Sequence, residues 1–155
     1  MSQLPLFFTY HDRVFGKGFI ADVLSHGRVL AAIEDDEHWV YGVQPGSFAA
    51  TGDEPTDAFR AYRQSFRNVL IDLAEESESS AAFEAAVKEM FFDVNFLREQ
   101  EWLSAVDEVR RGKVELDIQR ESADSESYIR VEFKDLAHVL PADNYPQQVG
   151  SALAA

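Results

Sequence analysis

Apolar and polar residues along this chain change period twice, and the changes mark its organisation. From Phe15 to Thr51 the pattern is that of strands: Phe19 to Leu24, Arg28 to Glu34, His38 to Val43 and Ser47 to Thr51 are short apolar or alternating runs. Ser25-His26-Gly27, Asp35-Asp36-Glu37 and Gln44-Pro45-Gly46 separate them as turn-sized clusters. Connections this short predict an antiparallel meander, because parallel neighbours need a long crossover. Within the third run Trp39, Tyr41 and Val43 share one face, and Gly42 on the other admits a closely packed neighbour.

The period lengthens at Pro55. Phe59, Tyr62, Phe66, Val69, Leu70 and Leu73 recur at three and four residues and predict a helix from Pro55 to about Glu75. Solvated residues follow, and Phe83, Val87, Met90, Phe91 and Val94 repeat the pattern in a second helix. A third, from about Leu97 to Arg110, uses Trp102, Leu103 and Val106 and stops before Gly112. Val114 to Arg120 and Tyr128 to Phe133 alternate again and predict a β-hairpin, and the chain after Pro141 has little to bury. The expected fold is α+β: an antiparallel meander packed against a helix, extended by further helices and a hairpin. Residues 1–140 form one domain on this reading, with a core over 15–76, an extension over 80–140 and a flexible tail at 141–155.

Composition narrows the function classes. Forty-six per cent of the residues are apolar, enough for a core, and the absence of cysteine removes disulfides, thiolate metal sites and thiol nucleophiles. The opening lacks the basic-then-apolar pattern of a secretion signal and no run is long enough to span a membrane, so a cytoplasmic location away from membranes is expected. A net charge of −14 repels nucleic acid and favours a basic partner, although acidity also serves solubility alone.

The stretch "WVYGVQPGSFAATGDEPTDAF" offers either a ligand-holding loop or a joint between sheet and helix. Gly42, Gly46 and Gly52 never form the Walker pattern, and no lysine lies between Lys17 and Lys88 to meet a phosphate. The joint explains more. Gly52 suits a positive φ at the strand end, Pro55 suits the first helical position, Asp57 sits in the positive first turn, and Asp53 or Thr56 is the expected cap in place of Glu54.

At these residues the chain resembles the HicB family of bacterial antitoxins. "AIEDDEHWVYGVQPGSFAATGDEPTDAFRAY" follows that family's order of acidic turn, aromatic strand, Pro-Gly and Gly-Asp-x-Pro opening a helix, with Gly52, Asp53, Pro55, Asp57 and Ala58 at its spacing. The likeness covers residues 28–74. It implies a degenerate ribonuclease-H-like sheet and helix, without catalytic activity or cofactor, that binds and blocks a small basic ribonuclease toxin. The DNA-binding segment that many members carry has no counterpart in the later half, so direct nucleic-acid binding is not expected.

The remaining chemistry is sparse. His11, His26, His38 and His138 show no metal-ligand spacing and read as surface residues, with His26 and His38 at turns. Glu34, Asp35, Asp36 and Glu37 resemble nuclease carboxylates only in composition; their place favours a solvated hairpin turn, with a partner-facing acidic knob as its functional version, and Trp39 and Tyr41 are either core aromatics or interface anchors. Arg60, Arg63 and Arg67 form a stripe that either grips phosphate or is neutralised by nearby acids. Leu153-Ala154-Ala155 matches the end of bacterial degradation tags, or is a plain terminus. The alternatives to a toxin-binding protein are a stand-alone homo-oligomer, paired through exposed strand edges, and a metal-dependent nuclease.

Overall fold

The computed structural model describes residues 3–112 and 127–134. In chain order the elements are β1 (Gln3–Gly16), β2 (Phe19–Glu34), β3 (Glu37–Gln44), β4 (Ala49–Gly52), α1 (Pro55–Glu76), α2 (Ser80–Phe91), α3 (Phe96–Arg110) and β5 (Tyr128–Lys134). The fold is α+β, with a curled antiparallel sheet ordered β1-β2-β3-β4. β2 is its spine. One edge of β2 pairs with β1 from Gln3↔Ala32 to Gly16↔Phe19, and the other is shared between β3, opposite residues 28–34, and β5, opposite residues 20–26.

Two expectations about the strands are corrected here. Ser25-His26-Gly27 is no turn: β2 runs through it, because Ser25, His26 and Gly27 pair with Tyr10, Thr9 and Phe8 in β1 while Ser25 and His26 also pair with Ile129 and Tyr128 in β5. Gly27 is there for space, since a Cβ would lie 2.3 Å from the Gln44 carbonyl oxygen. The sheet also begins at Gln3, well before Phe15. β5 lies against β2; Val114 to Arg120, the other strand of the expected hairpin, lie outside the described residues.

Helices cover both faces. One face presents Leu6, Phe8, Tyr10, Val23, Val29 and Val40 to α1 and α2, whose Ala58, Tyr62, Phe66, Leu70, Ala74, Phe83 and Val87 complete the main core. Each fully buried aromatic or leucine here contributes about 1.5–3 kcal/mol through lost water contact. On the other face Leu30 and Val43 pack with Trp102, Ala105 and Val106 of α3, beside Phe7 and Tyr41. Leu103, expected inside, is 55% exposed. Its neighbour in sequence, Trp102, takes the inward position, edge-on to Phe7 at 5.6 Å.

The chain reaches the second face by crossing the end of β3. α2 stops at Phe91 rather than reaching Val94, and the linker that follows pairs with Val43 to Gly46: Gly46 N–H donates to the Asp93 carbonyl at 2.7 Å, and Asn95 N–H donates to the Val43 carbonyl at 3.0 Å. Asn95 then caps α3 by accepting from Arg98 N–H at 3.1 Å. At Gly46 a Cβ would meet Asn95 N at 2.2 Å, so this crossing requires glycine.

Candidate functional site

The β2–β3 hairpin closes through Asp35 and Asp36, at φ 52° and 65°. Positive φ at both turn residues matches the right-handed twist of the strands, and aspartate tolerates that region better than most residues. Asp35, Asp36 and Glu37 are exposed there. Register brings the joint to the same end of the sheet, because His38 pairs with Gly52 and the next residues are Asp53 and Glu54. From Val29 to Phe59 the sequence holds Glu34, Asp35, Asp36, Glu37, Asp53, Glu54 and Asp57 and no lysine or arginine. The nearest sequence cation, Arg60, pairs with Asp57 at 3.4 Å.

Between this hairpin and the start of α1 lies an apolar cavity of about 290 Å³, walled by Ile33, His38, Val40, Pro55, Ala58 and Phe59 among others. Ile33 is 51% exposed at its rim. The joint builds one wall. Gly52 is not in the left-handed region, which corrects that expectation; it is glycine because a Cβ would lie 2.6 Å from the Asp57 Cβ and 2.7 Å from the Ala58 nitrogen. Pro55 is the first residue of α1, and Glu54 is the N-cap without a side-chain cap bond. Neither Asp53 nor Thr56 replaces it; the Asp57 and Ala58 N–H groups donate to the Glu54 carbonyl at 3.1 and 3.2 Å.

The opposite face of the hairpin carries the aromatics. Trp39 and Tyr41, both half-buried, stack with ring centroids 5.4 Å apart and planes 4° from parallel. The Arg98 guanidinium lies 3.8 Å from the Tyr41 ring centroid and donates to Glu101 at 2.9 Å, while the Tyr41 hydroxyl donates to Glu34. Burial first, and the Glu34 hydrogen bond second, push the Tyr41 hydroxyl up to about 12. Gln3 joins the group through a 2.9 Å bond to Glu101.

Of the predicted partner-binding residues, Asp35, Asp36 and Glu37 gather at the tip, with Trp39 and Tyr41 behind them on one face. Arg98 and Glu101 were missed: they reach Tyr41 only because α3 crosses to that face, and their sequence spacing signals a local ion pair and nothing more. The arginine stripe splits up. Arg67 pairs with Asp12, Arg60 with Asp57, and Arg63 lies over the Phe8 and Tyr10 rings at 4.9 and 5.7 Å. His26, expected at a surface turn, is half-buried in β2, stacked on Phe7 at 4.6 Å and on Tyr128 at 5.5 Å; burial lowers its pKa. Among the described residues no group of three or more His, Asp or Glu side chains is arranged to hold a metal ion, and no helix is long and apolar enough to cross a membrane. His138 and the Leu153-Ala154-Ala155 ending lie outside the described residues. No protein-family model matches the chain, and neither a curated protein nor a solved structure matches it.

Proposed function

We propose that this chain is a HicB-like, non-catalytic binding protein that sequesters a small basic protein, with a ribonuclease toxin as the partner the motif resemblance implies. The observation that carries the reading is the end of the β2–β3 hairpin. There, the exposed acids Asp35, Asp36 and Glu37, without an ion pair among the described residues, border an apolar cavity and a half-exposed isoleucine. Apolar centres with a charged rim are the usual anatomy of a protein-binding surface, and charge of one sign speeds encounter with a partner of the other. A basic ribonuclease held this way would have its RNA-binding cations occupied by carboxylates. The test is co-purification of the chain with the product of the adjacent gene. A complex that forms at low salt, weakens as salt rises and is weakened further in an Asp35→Asn/Asp36→Asn variant, whose asparagines tolerate the same backbone conformation, supports the reading. A partner that is not basic, or a complex indifferent to both salt and these charges, overturns it.

A second reading, a stand-alone homo-oligomer, is favoured by β1. Its outer edge, along a strand of 14 residues, pairs with no strand among the described residues. An open edge of that length is a template for self-pairing. Size-exclusion of the isolated chain tests this: a monomer at working concentration removes it.

A further inference from the structure

We propose that the free face of Trp39 is an arginine-binding platform, on which a guanidinium from the basic partner stacks while Glu37 flanks it. The inference rests on the basic-partner reading and names the chemistry of recognition within it. Acidic residues alone would attract any cation; the selective element is the aromatic pair. Trp39 and Tyr41 stand two residues apart on β3, so their rings stack along the strand, and one face of the indole is spent on Tyr41. The other face turns toward the next residue on that side, Glu37, which is exposed. Among the described residues no ring or guanidinium contact occupies it besides Tyr41.

Two features favour arginine there. The pair already stacks with one guanidinium, that of Arg98 on Tyr41, so its geometry and electrostatics suit such a group. The flanking carboxylate is held in place: Glu37 accepts from the hydroxyl of Thr51, the residue paired with Trp39, at 3.1 Å. A planar, weakly hydrated guanidinium gains from stacking and carboxylate pairing together, whereas an ammonium is more strongly hydrated and cannot stack as a plane. Among the described residues the cation nearest the pair is already engaged. Arg98 is engaged with Tyr41 and Glu101, and no lysine or arginine lies between Arg28 and Arg60.

The experiment titrates the full chain with capped tetra-arginine and tetra-lysine peptides of equal charge, following the indole N–H signals of both tryptophans. Trp102, 4% exposed on the inward side of α3, serves as the internal reference. The expected result is a shift of the Trp39 signal without one at Trp102, and a preference for arginine of about two- to fivefold, as an exposed cation–π contact supplies. Trp39→Leu should abolish the preference yet leave weak, salt-sensitive binding of both peptides. Glu37→Gln should weaken both while keeping the preference. Equal affinity in the native chain, a preference that survives Trp39→Leu, or no binding of either peptide overturns the platform. Any of these can coexist with a salt-sensitive complex with the adjacent gene product, in which case the basic-partner reading stands alone. A Trp39-dependent arginine preference without such a complex leaves the platform and removes the toxin partner.

Discussion

Gly46→Ala probes the crossing that carries the chain from one sheet face to the other. A Cβ at this position would sit 2.2 Å from the Asn95 nitrogen and 2.7 Å from its Cβ, against an ordinary contact of about 3.5 Å. The obstruction is backbone, so no rotamer change relieves it, and the linker must retreat by about 1 Å to restore contact distance. That retreat strains or breaks the Gly46-to-Asp93 and Asn95-to-Val43 hydrogen bonds. Two such bonds at about 1 kcal/mol each, plus overpacking of about 1–3 kcal/mol, are offset by about 0.4–1 kcal/mol from the stiffer unfolded chain. The net cost is about 2–4 kcal/mol. For a chain of this size that lowers the melting temperature by about 4–15 °C. Gly18→Ala is the control: Gly18 has φ 78° and nothing within 4 Å of the new carbon, so only conformational strain of about 1–2 kcal/mol applies. Thermal unfolding followed by circular dichroism compares the two. If Gly46→Ala melts no lower than Gly18→Ala, the linker does not lie against β3 as described, and the placement of α3 falls with it.

Phe66→Ala empties a fully buried ring site in contact with Phe8, Tyr10 and Phe48 and should cost about 3–5 kcal/mol, read as a lower urea midpoint; a loss below about 1 kcal/mol would contradict the α1 packing. Burial depresses the His26 pKa, so its contribution to stability is present above its unfolded value of about 6.5 and is lost as pH falls through the lower folded value; His26→Gln should flatten that part of the acid stability profile, and an unchanged slope would refute the assignment. If the Leu153-Ala154-Ala155 ending is a degradation signal, its deletion lengthens the cellular half-life, and an equal half-life dismisses the signal.

What the sequence disclosed depended on whether one or two faces of an element are covered. α1 was readable from its stripe because a single face meets the sheet, and the Asp35-Asp36 turn was readable because its chemistry is local. β1 was not. Phe7 packs toward Trp102 and Phe8 toward Tyr62, on opposite sides of the sheet, so the strand shows consecutive apolar residues in place of alternation. Ser25-His26-Gly27 imitated a turn for a related reason: the serine is buried, the histidine is sandwiched between aromatic rings, and the glycine yields to another strand's carbonyl. The acidic half of the candidate site was visible in composition, whereas the contact of Arg98 with Tyr41 exists only through the crossing at Gly46.

Joint and proposed binding surface are therefore not competing descriptions of Trp39 to Phe59. Gly52 lets the first turn of α1 approach within a distance that no Cβ permits, and that approach makes Pro55, Ala58 and Phe59 a wall of the apolar cavity. The acids Asp53 and Glu54 stand beside the hairpin acids for the same reason, since the chain turns the corner opposite His38. A substitution at Gly52 must displace Asp57 and Ala58 together, so it alters cavity shape and fold stability at once. Its effect on binding of the proposed partner should consequently differ from the sum of effects measured at residues lining only the cavity or only the acidic rim, because residues that share a backbone shift do not contribute independently.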